Sequence, residues 1–375
     1  MRILLICEAV FPENKGGLER WMSWLGTELN RRGHEISYLN SSGIDATRDG
    51  VAYIPAGHKK WHYVNDGKRS IRQSLKFAID IRSKVRQLNP DVIYSVQAPI
   101  FSVLSLGIWP GRKWLLIVEW IEIWSLKYWK NYLGGFFGTV GFTLQYLATK
   151  VGDIRVVFSR RCLLQLGQSN TANLQLSGLH MNSSVEAFPE YKFRSDILFL
   201  GRFVAEKQPL LAIQSVEKFR SMGWTGTFHI VGTGPLVAGI RDEIVSRKMG
   251  SYVEVLENAP QSELDLCFEK SFVLMHPSKR EGYGLAMIEA AQRGIPTILI
   301  DYPENASVDL EISPEYLSQN ADPTSLAELL MKAFSSQESD YSRLKIWTKE
   351  VLPKMNANKS VDELISAIVN RNSRG

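Results

Sequence analysis

Cysteine is scarce in this chain: Cys7, Cys162 and Cys267 are the only three in 375 residues, and they stand far apart. That excludes a disulfide-stapled scaffold and every spaced thiolate metal motif, and it favours a reducing compartment. No repeat of fixed period and no low-complexity tract occurs, which excludes solenoids and linker-like arrays. No G-x-G-x-x-G is present, so the dinucleotide fingerprint is missing. The opening MRILLICEAV is short for a signal peptide and lacks a cleavage site, so the expectation is a cytoplasmic protein. The formal net charge is only +5, and no nucleic-acid motif accompanies it, so no nucleic-acid partner is expected. Charge is absent altogether from Asn131 to Thr149. Four glycines, three threonines, Asn131 and Gln145 in that stretch lower its hydropathy below that of a spanning helix, so a helical hairpin is expected there instead.

What is present is ordinary in amount and uneven in distribution. The length suits two domains, and 45% apolar with 22% charged residues suits a soluble globular protein. Residues 1–190 carry 23 Lys+Arg against 15 Asp+Glu, whereas residues 191–375 carry 21 against 24. The basic half suits phosphates, an anionic membrane or an acidic acceptor. Strand and helix patterns alternate along both halves. Arg2–Cys7 reads as a buried parallel strand and Leu18 opens a helix with Leu18, Trp21, Leu25 and Leu29 on one face. Gly67–Leu88 reads as a helix with an apolar stripe of Ile71, Leu75, Ala78, Ile79, Val85 and Leu88. Lys68, Arg69, Arg72, Lys76, Arg82, Lys84 and Arg86 line the rest of it, a solvated or membrane-facing basic surface. This βαβ order predicts doubly wound sheets, with ligands at the carboxyl ends of strands.

The stretch from His276 to Ile300 carries the chemistry. Phe272–Met275 reads as a strand that Pro277 and Ser278 end. Glu281-Gly282-Tyr283-Gly284 reads as a turn and Leu285, Ile288 and Ala291 share a helix face; Gly294 and Pro296 close that helix and Thr297–Ile300 is a strand. A helix N-terminus attracts anions such as a diphosphate. Glu281 and Glu289, flanking seven residues, then read as acceptors for sugar hydroxyls around a bound anion, or as plain surface residues at a helix start. HPSKREGYGLAMIEAAQRGIP as a whole resembles the sugar-nucleotide motif of the retaining glycosyltransferases of family 4, which have the GT-B fold. The shared features are the Pro-Ser strand end, Glu-Gly-aromatic-Gly, Glu-Ala and Gly-x-Pro.

The resemblance extends to three other places. FPENKGGLER is similar to that family's glycine loop, which implies that Gly16 and Gly17 contact the donor diphosphate. GRFVAEKQP places Arg202 and Lys207 five residues apart after a strand, matching the family's Gly-Arg and following Lys, so both are assigned to the diphosphate. Gly234, in Gly232-Thr233-Gly234-Pro235, matches a turn near the nucleotide base. Two features depart from the family. The His that many members place after a first-domain strand is missing from Val118-Glu119-Trp120-Ile121-Glu122, and the usual linker signature is missing from SGLHMNSSVEAF. Glu119 and Glu122 read as substitutes that hold acceptor or sugar hydroxyls, or as polar residues at a strand end, and Trp120, like Trp124 and Trp129, reads as core, as an acceptor platform or as an interfacial anchor.

The resemblance implies two doubly wound Rossmann-like domains facing a cleft, an α/β architecture. Residues 1–184 form the acceptor-side domain, 185–350 the nucleotide-sugar domain, with the linker near Ser184–Ser195, and 351–375 a helix that packs back on the first domain. It also implies a retaining hexosyltransferase that moves a sugar from a nucleotide-diphosphate sugar to a hydroxyl, as in polysaccharide or glycoconjugate synthesis, with no metal and no cofactor. Glu281, Arg202 and Lys207 would do the chemistry, with Tyr283, Gly284, Leu285 and Glu289 completing the donor site. Two rivals share these features: a sugar-nucleotide epimerase on the same fold and a non-catalytic binding subunit. Peripheral contact with an anionic membrane is the further expectation from the basic half.

Overall fold

The computed structural model describes residues 1–14, 16–57, 70–167, 169, 171–181 and 188–372. The chain divides into two compact units, Met1–Met181 with Met355–Gly375, and Asn182–Lys354. The boundaries thus fall at 181/182 and 354/355, against the 184/185 and 350/351 read from the sequence. Of the expected linker, residues 184–187 lie outside the described residues, and residues 188–195 belong to the second unit without helix or strand.

The first unit holds eight strands: β1 Arg2–Ile6, β2 Glu35–Asn40, β3 Ala46–Arg48, β4 Val51–Pro55, β5 Val92–Val96, β6 Leu115–Glu119, β7 Ile154–Val157 and β8 Ala172–Gln175. Their order across the sheet is β3-β4-β2-β1-β5-β6-β7-β8, parallel except where β3 pairs with β4. The central strands are continuous apolar runs because both sheet faces are covered. From β1 the chain first builds outward to β2, then returns to lay β5 on the other side of β1, so the switch point lies between β1 and β5. Right-handed crossovers put the helix Gly17–Arg31 on one face. On the opposite face lie the helices Ile71–Leu88 and Ile100–Gly107 and the hairpin of Leu126–Leu133 and Gly135–Ala148, adjacent helices touching one another.

The helix Ala357–Asn372 completes this unit. Asp362 pairs with Arg32, the Ser177 amide donates to Glu363 Oε2 at 2.9 Å, and the Gly178 amide donates to Ser360 Oγ at 2.9 Å.

One sequence expectation needs correction here. Ser70 caps the basic helix, which begins at Ile71; Gly67, Lys68 and Arg69 lie outside the described residues. Its buried face is Ser74, Phe77, Ala78, Ile81 and Val85, while Ile71, Leu75 and Ile79 are exposed. The expected stripe mixed two faces, because two apolar rows run along this helix and only one meets the sheet.

The second unit is a six-stranded parallel sheet. Its strands are β9 Asp196–Leu200, β10 Phe228–Val231, β11 Val253–Leu256, β12 Ser271–His276, β14 Thr297–Ile300 and β16 Leu317–Ser318; the short β13 Arg280–Glu281 and β15 Glu304–Asn305 pair separately. The sheet order is β11-β10-β9-β12-β14-β16, which puts the switch point between β9 and β12. Phe199, Phe203, Phe219, Phe228 and Phe272 anchor the core.

Candidate donor site

The switch point of the second unit collects the residues that the sequence singled out. From β9 the chain passes Gly201 and Arg202, makes a 3-10 turn at Ala205–Lys207 and enters the helix Pro209–Ser221. From β12 it passes Pro277 and Ser278 into β13. The Lys279 amide donates to the Glu206 carbonyl at 2.8 Å and ties the two loops together. Lys207 Nζ forms an ion pair with Glu281 Oε2. His276 Nε2 lies 2.9 Å from the same oxygen, and Ser278 Oγ lies 3.0 Å from His276 Nε2.

Burial alone would raise the Glu281 carboxyl, but the Lys207 charge and the His276 hydrogen bond outweigh it and hold the group well below the usual carboxylate range. Glu281 is therefore an anion at neutral pH. Burial pushes the His276 imidazole down, against the pull of Glu281, so the ring is neutral. Since a carboxylate only accepts, Nε2 carries the proton and donates to Glu281. The other ring nitrogen, Nδ1, is buried without a hydrogen-bond partner among the described residues. The backbone beneath Glu281 is fixed by β13 against β15, and Asn305 Nδ2 donates to the carbonyls of Ser278 and Ile300, each at 3.2 Å.

The rest of the motif follows the same logic. Tyr283 is buried, and Gly284 has φ +109°, with Ser307 Cβ 2.8 Å from where a Cβ would stand and Met287 Cε nearer still. Only glycine fits that turn. The helix Leu285–Ala291 follows, with Leu285 and Glu289 half-buried. Gly234 is explained by packing: a Cβ there would sit 2.5 Å from the Phe203 carbonyl oxygen, which accepts from the Leu236 amide at 3.0 Å. Arg202 is exposed and makes no ion pair among the described residues.

The first-unit candidates fall differently. Gly16 and Gly17 are exposed and open the helix Gly17–Arg31, Gly16 standing at its N-cap with extended backbone. Glu119 ends β6, as the sequence indicated, but its side chain points inward. Its Oε2 accepts from Trp21 Nε1 at 3.1 Å and from Tyr94 Oη at 2.7 Å, and the residue is 1% exposed. Burial raises its carboxyl to about 7, partly opposed by those two hydrogen bonds. Trp120 is likewise 1% exposed, so neither residue presents a face to an acceptor. Both faces of β6 are covered, and a strand-end polar residue on such a strand turns to an internal partner. Glu122 is half-buried and accepts from Trp124 Nε1 at 2.9 Å.

The sequence reading assigned no role to His276, Ser278 or Asn305. A histidine ending an apolar strand five residues before Glu281 was the available signal.

Two doubly wound units with this constellation at a switch point define the class: the chain has the GT-B fold of glycosyltransferases. Residues 183–349, nearly all of the second unit, match the family described as Glycosyl transferases group 1. An uncharacterized glycosyltransferase of Methanocaldococcus jannaschii, MJ1178, is 23% identical over 176 residues. That match takes in 44% of this chain and 48% of the relative, so about half of the relative's length is spanned. Sucrose-phosphate synthase from Thermosynechococcus elongatus superposes with a TM-score of 0.78 over 100% of both chains at 15% identity. WaaG, a glycosyltransferase involved in lipopolysaccharide biosynthesis, gives 0.73 over 96% of this chain and 98% of its own at 12% identity. Anabaena Alr3699/HepE in complex with UDP-glucose gives 0.70 over 99% and 100% at 12% identity.

Proposed function

We propose that this protein transfers a sugar from a nucleotide-diphosphate sugar to a hydroxyl acceptor, with retention of configuration and without a metal ion. The observation that carries the reading is the Glu281–Lys207–His276 cluster at the switch point of the second unit, inside the segment matched by the group 1 family. An ionised carboxylate held by a neutral imidazole accepts sugar hydroxyls, and Lys207 with the exposed Arg202 supplies positive charge for a departing diphosphate. The similarity in fold to a structure holding UDP-glucose supports a donor of that class. Leu285 and the amides after Gly284 complete the proposed donor contacts, and Glu289 is proposed to accept ribose hydroxyls. Gly16 and Gly17 keep their proposed diphosphate contact on the strength of their loop alone. On the acceptor side only Glu122 of the three first-unit candidates remains in the proposal. The polymer or glycoconjugate it serves, and a cytoplasmic location with peripheral membrane contact, belong to the same proposal; among the described residues no helix is long and apolar enough to cross a membrane.

The test is donor consumption across a panel of nucleotide sugars, with and without candidate acceptors. Glu281→Gln and Lys207→Met each lower turnover by roughly tenfold to a thousandfold, as for lost transition-state contacts, while Glu289→Ala raises the donor KM. Wild-type turnover in either of the first two variants removes the assignment. Conversion of the donor alone into an epimer refutes transfer.

A further inference from the structure

The hairpin of the first unit is built inside out for a protein meant to lie in water. In the helix Gly135–Ala148 the buried residues are small or polar: Gly138, Gly141, Gln145 and Ala148. A Cβ at Gly141 would stand 2.5 Å from the Trp129 ring, so glycine there lets the two helices close on each other. Phe142 and Leu144 are half-buried, and the other large apolar residues face outward. Phe136 is 76% exposed and Phe137 62%, and Val140 and Leu147 are exposed as well. Phe136, Val140 and Leu147 lie at i, i+4 and i+11, one stripe along the helix, with Phe137 beside it. The outward side carries these apolar groups together with Thr139 and Thr143, while the buried side is small or polar, the reverse of a surface helix in water.

Other helices of the same layer also expose apolar residues. Ile71, Leu75 and Ile79 form a second exposed apolar row on the helix Ile71–Leu88, beside Arg72 and Lys76. Among the described residues 19 large hydrophobics are exposed, and 11 of them lie between Ile71 and Leu164. The same span carries 13 Lys+Arg against 5 Asp+Glu. Glu119 among those acids is buried, and Asp91 and Asp153 are paired with Arg2 and Arg112. From Ile123 to Gly152 there is no acidic residue at all, while Lys127, Lys130 and Lys150 bracket the hairpin.

We infer that this helical layer docks on an anionic lipid bilayer, with Phe136, Phe137, Val140 and Leu147 entering the headgroup–acyl boundary and the surrounding lysines and arginines meeting lipid phosphates. Exposed aromatics with cations at the margins and no acidic group suit that interface. The 14-residue helix spans only about 21 Å, too short to cross the hydrocarbon core, so it lies in the surface plane. The inference deepens the peripheral contact proposed above and names the element that makes it. It stands apart from the transferase chemistry, because binding is measured with no donor or acceptor.

The experiment is sedimentation of the full chain with vesicles of phosphatidylcholine and phosphatidylglycerol, and with vesicles of phosphatidylcholine alone, at low and moderate salt. The protein is expected to bind the mixed vesicles and to bind less as salt rises. Phe136→Ser with Phe137→Ser, both at solvent-facing positions, is expected to weaken binding about tenfold or more. Lys127→Gln with Lys130→Gln and Lys150→Gln is expected to weaken it on the mixed vesicles alone. Val245→Ser with Ile346→Ser, two exposed apolar positions of the second unit, is expected to bind as wild type. Circular dichroism confirms that each variant is folded. The inference is overturned if wild type does not bind mixed vesicles at low salt, or if the phenylalanine variant binds as wild type. It is also overturned if light scattering shows a wild-type dimer that this variant dissociates, since a second copy would then be the occupant.

Discussion

Lys207→Met isolates the electrostatics of the candidate donor site. The side chains of Lys207 and Glu281 are 13% and 20% exposed, so the variant leaves a carboxylate largely withdrawn from water without its counter-charge. Breaking a buried pair from one side costs about 3–5 kcal/mol, and the residual exposure of Glu281 argues for the lower end. For a unit of this size about 3 kcal/mol lowers the melting temperature by roughly 6–12 °C. Lys207→Met with Glu281→Gln removes both charges and keeps a carbonyl oxygen for His276 to donate to, so the double variant melts higher than Lys207→Met alone. The pH dependence has a definite sign. Glu281 is held below the usual carboxylate range in the folded state, so its contribution is present above an unfolded pKa of about 4.3 and is lost as pH falls toward the folded value. The deficit of Lys207→Met therefore holds from about pH 7 down to about pH 4 and narrows below it, so the comparison is between about pH 7 and about pH 3. Scanning fluorimetry at both pH values, on wild type and both variants, measures all of this. A Lys207→Met melting temperature within about 2 °C of wild type, or a double variant less stable than the single one, refutes the reasoning.

Glu119→Gln is expected to leave transfer near wild type and to change the pH profile of stability. The folded Glu119 pKa is raised to about 7, so the stability it confers is full below the ordinary carboxylate pKa and lost as pH rises through about 7. Wild type should lose more melting temperature than Glu119→Gln between about pH 5 and pH 8, and parallel profiles would show that the carboxyl does not titrate there. Gly284→Ala forces a Cβ against Ser307 and Met287 at φ +109°, and is expected to cost more than about 1 kcal/mol and to weaken donor binding. An alanine variant with unaltered stability and donor KM would contradict that account.

The strand framework was legible because parallel strands covered on both faces read as unbroken apolar runs, as in RILLI, LLIVE and SFVLMH. The strands β3, β4, β8 and β16 went unread. They lie at or next to the sheet edges, where half-exposed positions dilute the pattern. The basic helix shows a further limit. Periodicity reports that a helix has apolar rows, whereas which row meets the sheet depends on the angle at which the strand delivers it. Ile71, Leu75 and Ile79 fit an amphipathic stripe and still face outward.

The donor-site residues were readable one at a time and unreadable as a set. Glu281 and Lys207 lie 74 positions apart, and their pairing exists because β12 lies beside β9, each strand ending in a loop on the same edge. Spacing within a motif carries no information about that adjacency, so the sequence offered Lys207 to a diphosphate and Glu281 to a sugar without indicating that Lys207 helps to keep Glu281 ionised. Glu119 shows the converse. Its position at a strand end was read correctly, but the direction of its side chain is fixed by Trp21, 98 residues earlier, on a helix across the sheet face. A carboxylate at a strand end is aimed by whichever donors the fold brings to it. In the second unit they are a lysine in the turn after β9 and a histidine that ends β12, which keep it ionised. In the first unit they are a tryptophan and a tyrosine inside the core, and burial among them raises it to about 7. One residue type, at the end of β6 in one unit and in β13 beyond the end of β12 in the other, thus serves two different purposes, and the difference lies in the partners.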